Sequence, residues 1–263
     1  MPKAKANGIE IYYEIHGPED GDVIILSNGI MMSTVTWAGQ RDVLSKQYKL
    51  VLYDCRGMWK SDHPDGPYSM EMHAEDLLGL MDHLEIKKAH IAGISYGSEV
   101  SMMFAAKYPE RTKTLIVIDG VAYVDPFLKA QSLPWLRAAE MNDHQLLLDT
   151  SVHMNFSPEI LEKYYDLFSD AERVKGLDLA SFIELMNAFY AFDIRDQLKD
   201  IQTPSLVIVA EHDLIKPLGH AKNIYEALPN AEMLIIAGGG HAICIDRPNE
   251  LNTAILGFVC KHA

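Results

Sequence analysis

Ile91-Ala92-Gly93-Ile94-Ser95-Tyr96-Gly97-Ser98 joins two kinds of periodicity. The residues up to Ile94, Lys88-Ala89-His90-Ile91-Ala92-Gly93-Ile94, form a short apolar run of the kind a buried parallel strand uses. From Tyr96 onward Val100, Met103 and Phe104 fall at helical spacing, and Tyr108-Pro109 ends the helix. Ser95 therefore sits on the turn between strand and helix. Gly93 and Gly97 bracket it, as a tight turn with closely packed backbone requires. Such a turn lifts the Ser95 hydroxyl clear of the sheet and puts the Tyr96 amide at a helix N-terminus, where a developing oxyanion is stabilised. The pattern alone is weak, since a serine here also reads as an ordinary helix cap, so its surroundings must decide.

Outward from this turn, strands alternate with helices. Ile9–His16 alternates as an edge strand, and Asp22–Ser27 reads as a buried strand that runs into Asn28-Gly29-Ile30-Met31-Met32 and then a helix from about Thr36. Another strand ends at Tyr53-Asp54. Ser69 is placed to cap a helix whose Ala74, Leu77, Leu78, Met81 and Leu84 make one apolar face. Thr114–Asp119 is a further buried strand. Between about Val121 and Gln202 the alternation stops and helical patterns take over at Leu133–Met141, Pro158–Leu167 and Ala180–Ala191. Strands return at Pro204–Ala210 and Met233–Ile236, and a last helix begins near Pro248. This order predicts a mostly parallel, doubly wound α/β sheet over residues 1–120 and 203–263, with a helical insertion at 121–202.

A chain of 263 residues can bury a full core. Its net charge of −14 argues against nucleic acid or an anionic membrane surface as the main partner. No run is long enough to span a membrane, and the N-terminal Met-Pro-Lys-Ala-Lys lacks an apolar signal region, so a cytoplasmic protein is expected. Cys55, Cys244 and Cys260 have no metal-ligand spacing. No metal and no cofactor are expected.

A serine hydroxyl needs a base, and the base needs an orienting carboxylate. Among eleven histidines, His241 is best placed, after the last strand and the flexible Gly238-Gly239-Gly240. Asp213 is the best acid, following the strand that ends at Ala210, because open α/β sheets put their sites at strand C-terminal ends. Glu211 and His212 rival it by position, and Asp119, which also ends a strand, is the alternative acid. The order Ser95, Asp213, His241 is the order expected on one particular scaffold.

That scaffold is the α/β-hydrolase fold, which the chain resembles over nearly its whole length, least across the helical insertion. Gly93-Ile94-Ser95-Tyr96-Gly97 matches the nucleophile elbow. Asn28-Gly29-Ile30 stands where many members have His-Gly-X, and Asp54-Cys55-Arg56-Gly57 with Ser61-Asp62 matches the family's Asp-x-Arg-Gly-x-Gly-x-Ser-Asp. Phe192–Leu198, leading into Thr203-Pro204, is similar to the lid exit of enol-lactonases and small carboxylesterases. The resemblance implies a helical lid after the sixth strand and an oxyanion hole made by the Ile30 and Tyr96 amides, with Met31 in place of Ile30 if the loop register shifts by one. Trp59 replaces a usual glycine, which implies another backbone course for that loop or an indole near the pocket. Tyr96 stands where many esterases carry Met, and Ser98 replaces a second glycine. A serine rather than an aspartate nucleophile sets the chain apart from the haloalkane dehalogenase and epoxide hydrolase branches.

Met31, Met58 and Trp59 lie on loops at the active end of the sheet and are candidate pocket residues. Arg56 is expected to hold the Asp54 loop. Basic residues are scarce in the loops around the site, which favours a neutral substrate. The expected activity is hydrolysis of a small-molecule carboxylic ester or lactone through an acyl-enzyme. One alternative is hydrolysis of a carbon–carbon bond in dienoic diketone ring-fission products, which needs a polar or cationic lid group to hold a substrate carboxylate, and the sequence does not single one out. The other is a ligand-binding or regulatory protein on the same fold. No oligomeric state is assigned.

Overall fold

The computed structural model describes residues 2–263. Eight strands, β1 (Lys3–Ala6), β2 (Ile9–His16), β3 (Val23–Ser27), β4 (Lys49–Tyr53), β5 (Ala89–Ile94), β6 (Thr112–Ile118), β7 (Ser205–Ala210) and β8 (Ala231–Ile236), form one sheet. Their spatial order is β1-β2-β4-β3-β5-β6-β7-β8. The β1–β2 and β2–β4 pairs are antiparallel and every later pair is parallel. The edge expected at Ile9–His16 is therefore one strand further out. Lys3–Ala6 covers it, alternating exposed lysines with buried Ala4 and Ala6.

The central strands are apolar throughout because both faces are covered. Successive side chains still go to opposite sides. Ile24 and Leu26 face Trp37 and Leu44 of the first helical segment and Leu251, Ile255 and Phe258 near the C-terminus. Ile25 faces the opposite cluster with Leu77, Leu80, Val100 and Phe104. The helices behind these contacts are α1 (Ala38–Leu44), α2 (Met70–His83) and α3 (Tyr96–Lys107). Ser69 caps α2, its hydroxyl accepting the Met72 N–H at 3.2 Å.

Between β6 and β7 lie α4 (Pro126–Glu140), α5 (His144–Asn155), α6 (Pro158–Phe168), α7 (Leu179–Tyr190) and the short α8 (Arg195–Leu198). The first is longer than its periodicity predicts. Asp125 caps it through Leu128 N–H and Pro126 occupies the first turn, so Pro134 lies inside the helix and does not start it. Helix α5 has no counterpart in the sequence pattern. Its apolar residues Leu146, Leu147, Leu148 and Val152 are interleaved with polar ones that themselves bond the helix backbone, as Thr150 does to Leu146. The two ends of the segment pair with each other, Ile194 N–H to Ala122 C=O at 2.9 Å and Val124 N–H to Phe192 C=O at 3.3 Å. A hydrogen-bonded neck thus joins it to the sheet. Helices α9 (Leu218–Ala227), α10 (Ile243–Asp246) and α11 (Pro248–Lys261) complete the chain. Among the described residues no helix is long and apolar enough to cross a membrane.

Candidate active site

The chain reverses direction across the sheet between β3 and β5, and such switch points open a crevice at strand C-terminal ends. Here it is a cavity of about 810 Å3. Ser95, between β5 and α3, lies on its wall with φ 54° and ψ −120°. That conformation costs about 1–3 kcal/mol, and the neighbouring glycines permit it. A Cβ on Gly93 would collide with the Gly97 carbonyl, and one on Gly97 with the Ser27 carbonyl. Ser95 N–H donates to Ile118 C=O at 2.9 Å, which ties the turn to β6. Ser98, the departure from a second glycine, adds a brace. Its hydroxyl is 2.7 Å from both the Gly93 and Ile118 carbonyls and accepts the Ile118 N–H at 3.0 Å.

Tyr96 is the first residue of α3, and an N–H there has no acceptor within the helix. Its ring is buried, and its hydroxyl shares a 2.9 Å hydrogen bond with His73 Nε2. Burial holds His73 neutral, pushing it down to about 3. Opposite, Gly29 to Met32 make a turn closed by Met32 N–H to Gly29 C=O at 3.0 Å, with Ile30 and Met31 at its corners and on the cavity wall. Asn28 fixes this turn from below. Its side-chain oxygen accepts the Trp37 indole N–H at 2.8 Å, and its amide donates to Asp54 at 3.2 Å. Asp54 also accepts the Thr34 and Lys60 amides.

His241 follows β8 and lies on the same cavity wall as Ser95. Its Nδ1 is 2.8 Å from Asp213 Oδ2. The other Asp213 oxygen accepts the Ile215 and Lys216 amides, both at 2.8 Å. Burial opposes ionisation of Asp213, but the His241 charge, its hydrogen bond and the two amides outweigh it and hold the carboxyl below the ordinary range. The rivals by position do other things. Glu211 accepts the Gly238 N–H at 2.9 Å and so braces the His241 loop, while His212 is exposed. Asp119 is buried behind Asp213, with φ 49°. Asp119, Asp213 and His241 have ligand atoms within 4.8 Å of one another, the one such trio among the described residues. Three N–H donors already face Asp213, which suits a carboxylate holding an imidazole better than one holding a cation.

Trp59 keeps the glycine-like backbone, φ 44°, and places its indole on the cavity wall, donating to Met31 C=O at 3.1 Å. Met58 does not reach the cavity. The turn closed by its N–H on Cys55 C=O leaves its side chain fully buried in the core. Arg56 clamps Asp76 of α2, at 2.6 and 2.8 Å, and not Asp54. The expected scarcity of basic groups is corrected too. Lys60, Arg173 and Lys216 line the cavity, and no carboxylate does. Lys60 and Arg173 come from distant segments, and Lys216 lies three residues beyond Asp213, so no local charge run marked them. Much of the remaining lining, including Trp135, Val152, Phe168, Met186 and Phe189, comes from the helical segment.

A family model described as alpha/beta hydrolase fold matches residues 22–248. A curated relative from Caulobacter segnis, named "putative carbamate hydrolase RutD", is 30% identical over 264 residues, covering 95% of this chain and 96% of its own. Among solved structures, MGS-M2, an alpha/beta hydrolase enzyme from a Medee basin deep-sea metagenome library, superposes with TM-score 0.91 at 31% identity, covering 98% of this chain and 97% of its own. The enol-lactonase from Burkholderia xenovorans LB400 superposes with TM-score 0.92 at 27% identity, over 98% and 100% of the two chains.

Proposed function

This chain belongs to the α/β-hydrolase fold family, and we propose that it is a cofactor-independent serine hydrolase cleaving a carboxylic ester or lactone. The observation that carries the reading is the 2.8 Å contact of His241 Nδ1 with Asp213 on the wall of the cavity that also holds Ser95. With Nδ1–H donated to Asp213, Nε2 is left as the basic face of the ring. Ser95 Oγ attacks the acyl carbon as His241 takes its proton, and the Tyr96 and Ile30 amides receive the oxyanion. His241 then protonates the leaving alkoxide. Water attacks the acyl-enzyme with its proton passing to His241, and Ser95 is regenerated. Residues 121–202 act as the lid over an apolar acyl pocket.

An organophosphonate ester tests this without knowledge of the substrate. It is expected to leave one covalent adduct, on the peptide containing Ser95, with hydrolysis lost in proportion. Inhibition with the adduct elsewhere would overturn the assignment.

One observation favours a second reading, hydrolysis of a carbon–carbon bond in a substrate that carries a dienoate carboxylate. Arg173, from the helical segment, lies on the cavity wall, where its guanidinium donates to the Leu167 carbonyl at 3.3 Å and sits over the Phe168 ring, and so supplies a cation toward a dienoate carboxylate. The relative's name also extends the acyl classes to carbamates. Arg173→Met is expected to raise KM about 10- to 100-fold for carboxylate-bearing substrates only, since hydrogen bonds to charged groups contribute about 1.5–3 kcal/mol. Equal effects on neutral esters would remove the anionic reading. Saturable binding without turnover of any class would point to a regulatory protein.

A further inference from the structure

Two buried carboxyl groups stand where the proposed mechanism uses one. Asp119 follows β6 and is wholly buried. Its Oδ1 accepts the Ala210 N–H at 2.8 Å, while Oδ2, equally buried, meets no donor. A buried oxygen of this kind is expensive as half of an anion and ordinary as a hydroxyl with an acceptor beside it. An acceptor is there. Asp213 lies within the same 4.8 Å cluster, and its donors, the Ile215 and Lys216 amides and His241, leave it further lone pairs.

We propose that Asp119 is a neutral carboxylic acid that donates its Oδ2–H to Asp213, and so is a positioning residue that holds the Asp213 carboxylate against His241. The pair then carries one negative charge and one proton, as two carboxyls in a shared dry site must. The proposal rests on Ser95, Asp213 and His241 acting as read above. The groups facing Asp119 are Asp213, His241 and Lys216, with the Cys244 thiol beyond. Burial, then the Asp213 charge, raise its carboxyl well above the ordinary range, and the Ala210 amide and Lys216 only partly oppose them. Asp213 is held low by His241 and its amides, so the proton stays on Asp119.

The left-handed φ of 49° decides which variants are informative. Asparagine tolerates it, keeps an acceptor for Ala210 and offers an amide N–H to Asp213. Glycine tolerates it and offers neither. Asp119→Asn is therefore expected to keep kcat/KM within about threefold and to leave the acidic limb of its pH profile in place, while Asp119→Gly loses about tenfold or more. Were Asp119 ionised, Asp119→Asn would remove a negative charge beside His241 and move that limb to lower pH, which would overturn the proposal. Equal losses in the two variants would overturn it as well.

Two readouts do not need turnover. Wild type is expected to show a protonated-carboxyl stretch at neutral pH in its infrared difference spectrum against Asp119→Asn. Unfolded Asp119 titrates near 3.8 while the folded group keeps its proton to higher pH, so the contribution of this group to stability falls as pH rises above 3.8, and Asp119→Asn should remove that contribution from the pH dependence. No stretch and an unchanged slope would sink the proposal by themselves. A Ser95→Ala protein as active as wild type would instead sink the mechanism it rests on, leaving the infrared result to decide the proton.

Discussion

Ser95→Ala is expected to reduce kcat for p-nitrophenyl ester hydrolysis by on the order of 10^4- to 10^6-fold, the loss seen when a triad nucleophile is removed. Stability should stay within about 0.5 kcal/mol. Its side chain is only partly buried and anchors no neighbour, because the turn is held by the Ser95 amide on Ile118 and by Ser98. Alanine keeps the Cβ and therefore the strain at φ 54°. Glycine is free of that strain, so Ser95→Gly should be equally inactive and at least as stable as Ser95→Ala. The strain is then assignable to the hydroxyl's position and not to folding. A short-to-medium acyl series separates the remaining possibilities. The wild-type optimum sizes the pocket, and activity surviving in purified Ser95→Ala would remove the nucleophile assignment.

What marked Ser95, Asp213 and His241 as candidates was local. Each follows a short apolar run, and the two glycines of the elbow are demanded by backbone contacts that show in the sequence as glycine itself. The sheet was legible for the same reason, since strands buried on both faces read as continuous apolar runs. Lys3–Ala6 was not, because half of a four-residue edge strand is lysine. Residues that act across long sequence distances were also hidden. Trp59 was marked as a departure, but its left-handed backbone and its hydrogen bond to Met31 emerge only when two loops meet. Arg173 is one cation in a polar stretch until folding brings it to the cavity. Glu99 carried a signal that went unread, an acid amid the buried run Tyr96–Ala105 of α3. A charge on such a face predicts a partner, and the partner, Lys216, lies 117 residues away.

That pair sets the second large effect. Lys216 Nζ lies 2.9 and 2.8 Å from the two Glu99 oxygens, with both side chains essentially inaccessible, and Glu99 also accepts the Val121 N–H at 2.9 Å. The pair ties α3, four residues past the nucleophile, to the loop that carries Asp213, and the lysine lies 5.0 Å from the centroid of Phe189 in α7. Lys216→Met removes the cation that neutralises this buried anion and leaves it the Val121 N–H as its hydrogen-bond donor. Burial already pushes Glu99 above the ordinary carboxylate range, so the variant must take up a proton or carry an uncompensated charge. The expected loss is about 3–5 kcal/mol, read as a fall in Tm on the order of 10 °C for a chain of this size. Adding Glu99→Gln should recover much of it, since the amide oxygen still accepts the Val121 N–H and neither charge remains to be desolvated. Because the Lys216 N–H that holds Asp213 belongs to the backbone, folded Lys216→Met should retain a working His241–Asp213 contact, with its defect in stability exceeding its defect in kcat. A single variant as stable as wild type would show that the pair is solvated, and would free Lys216 to act as a cationic group toward whatever enters the cavity.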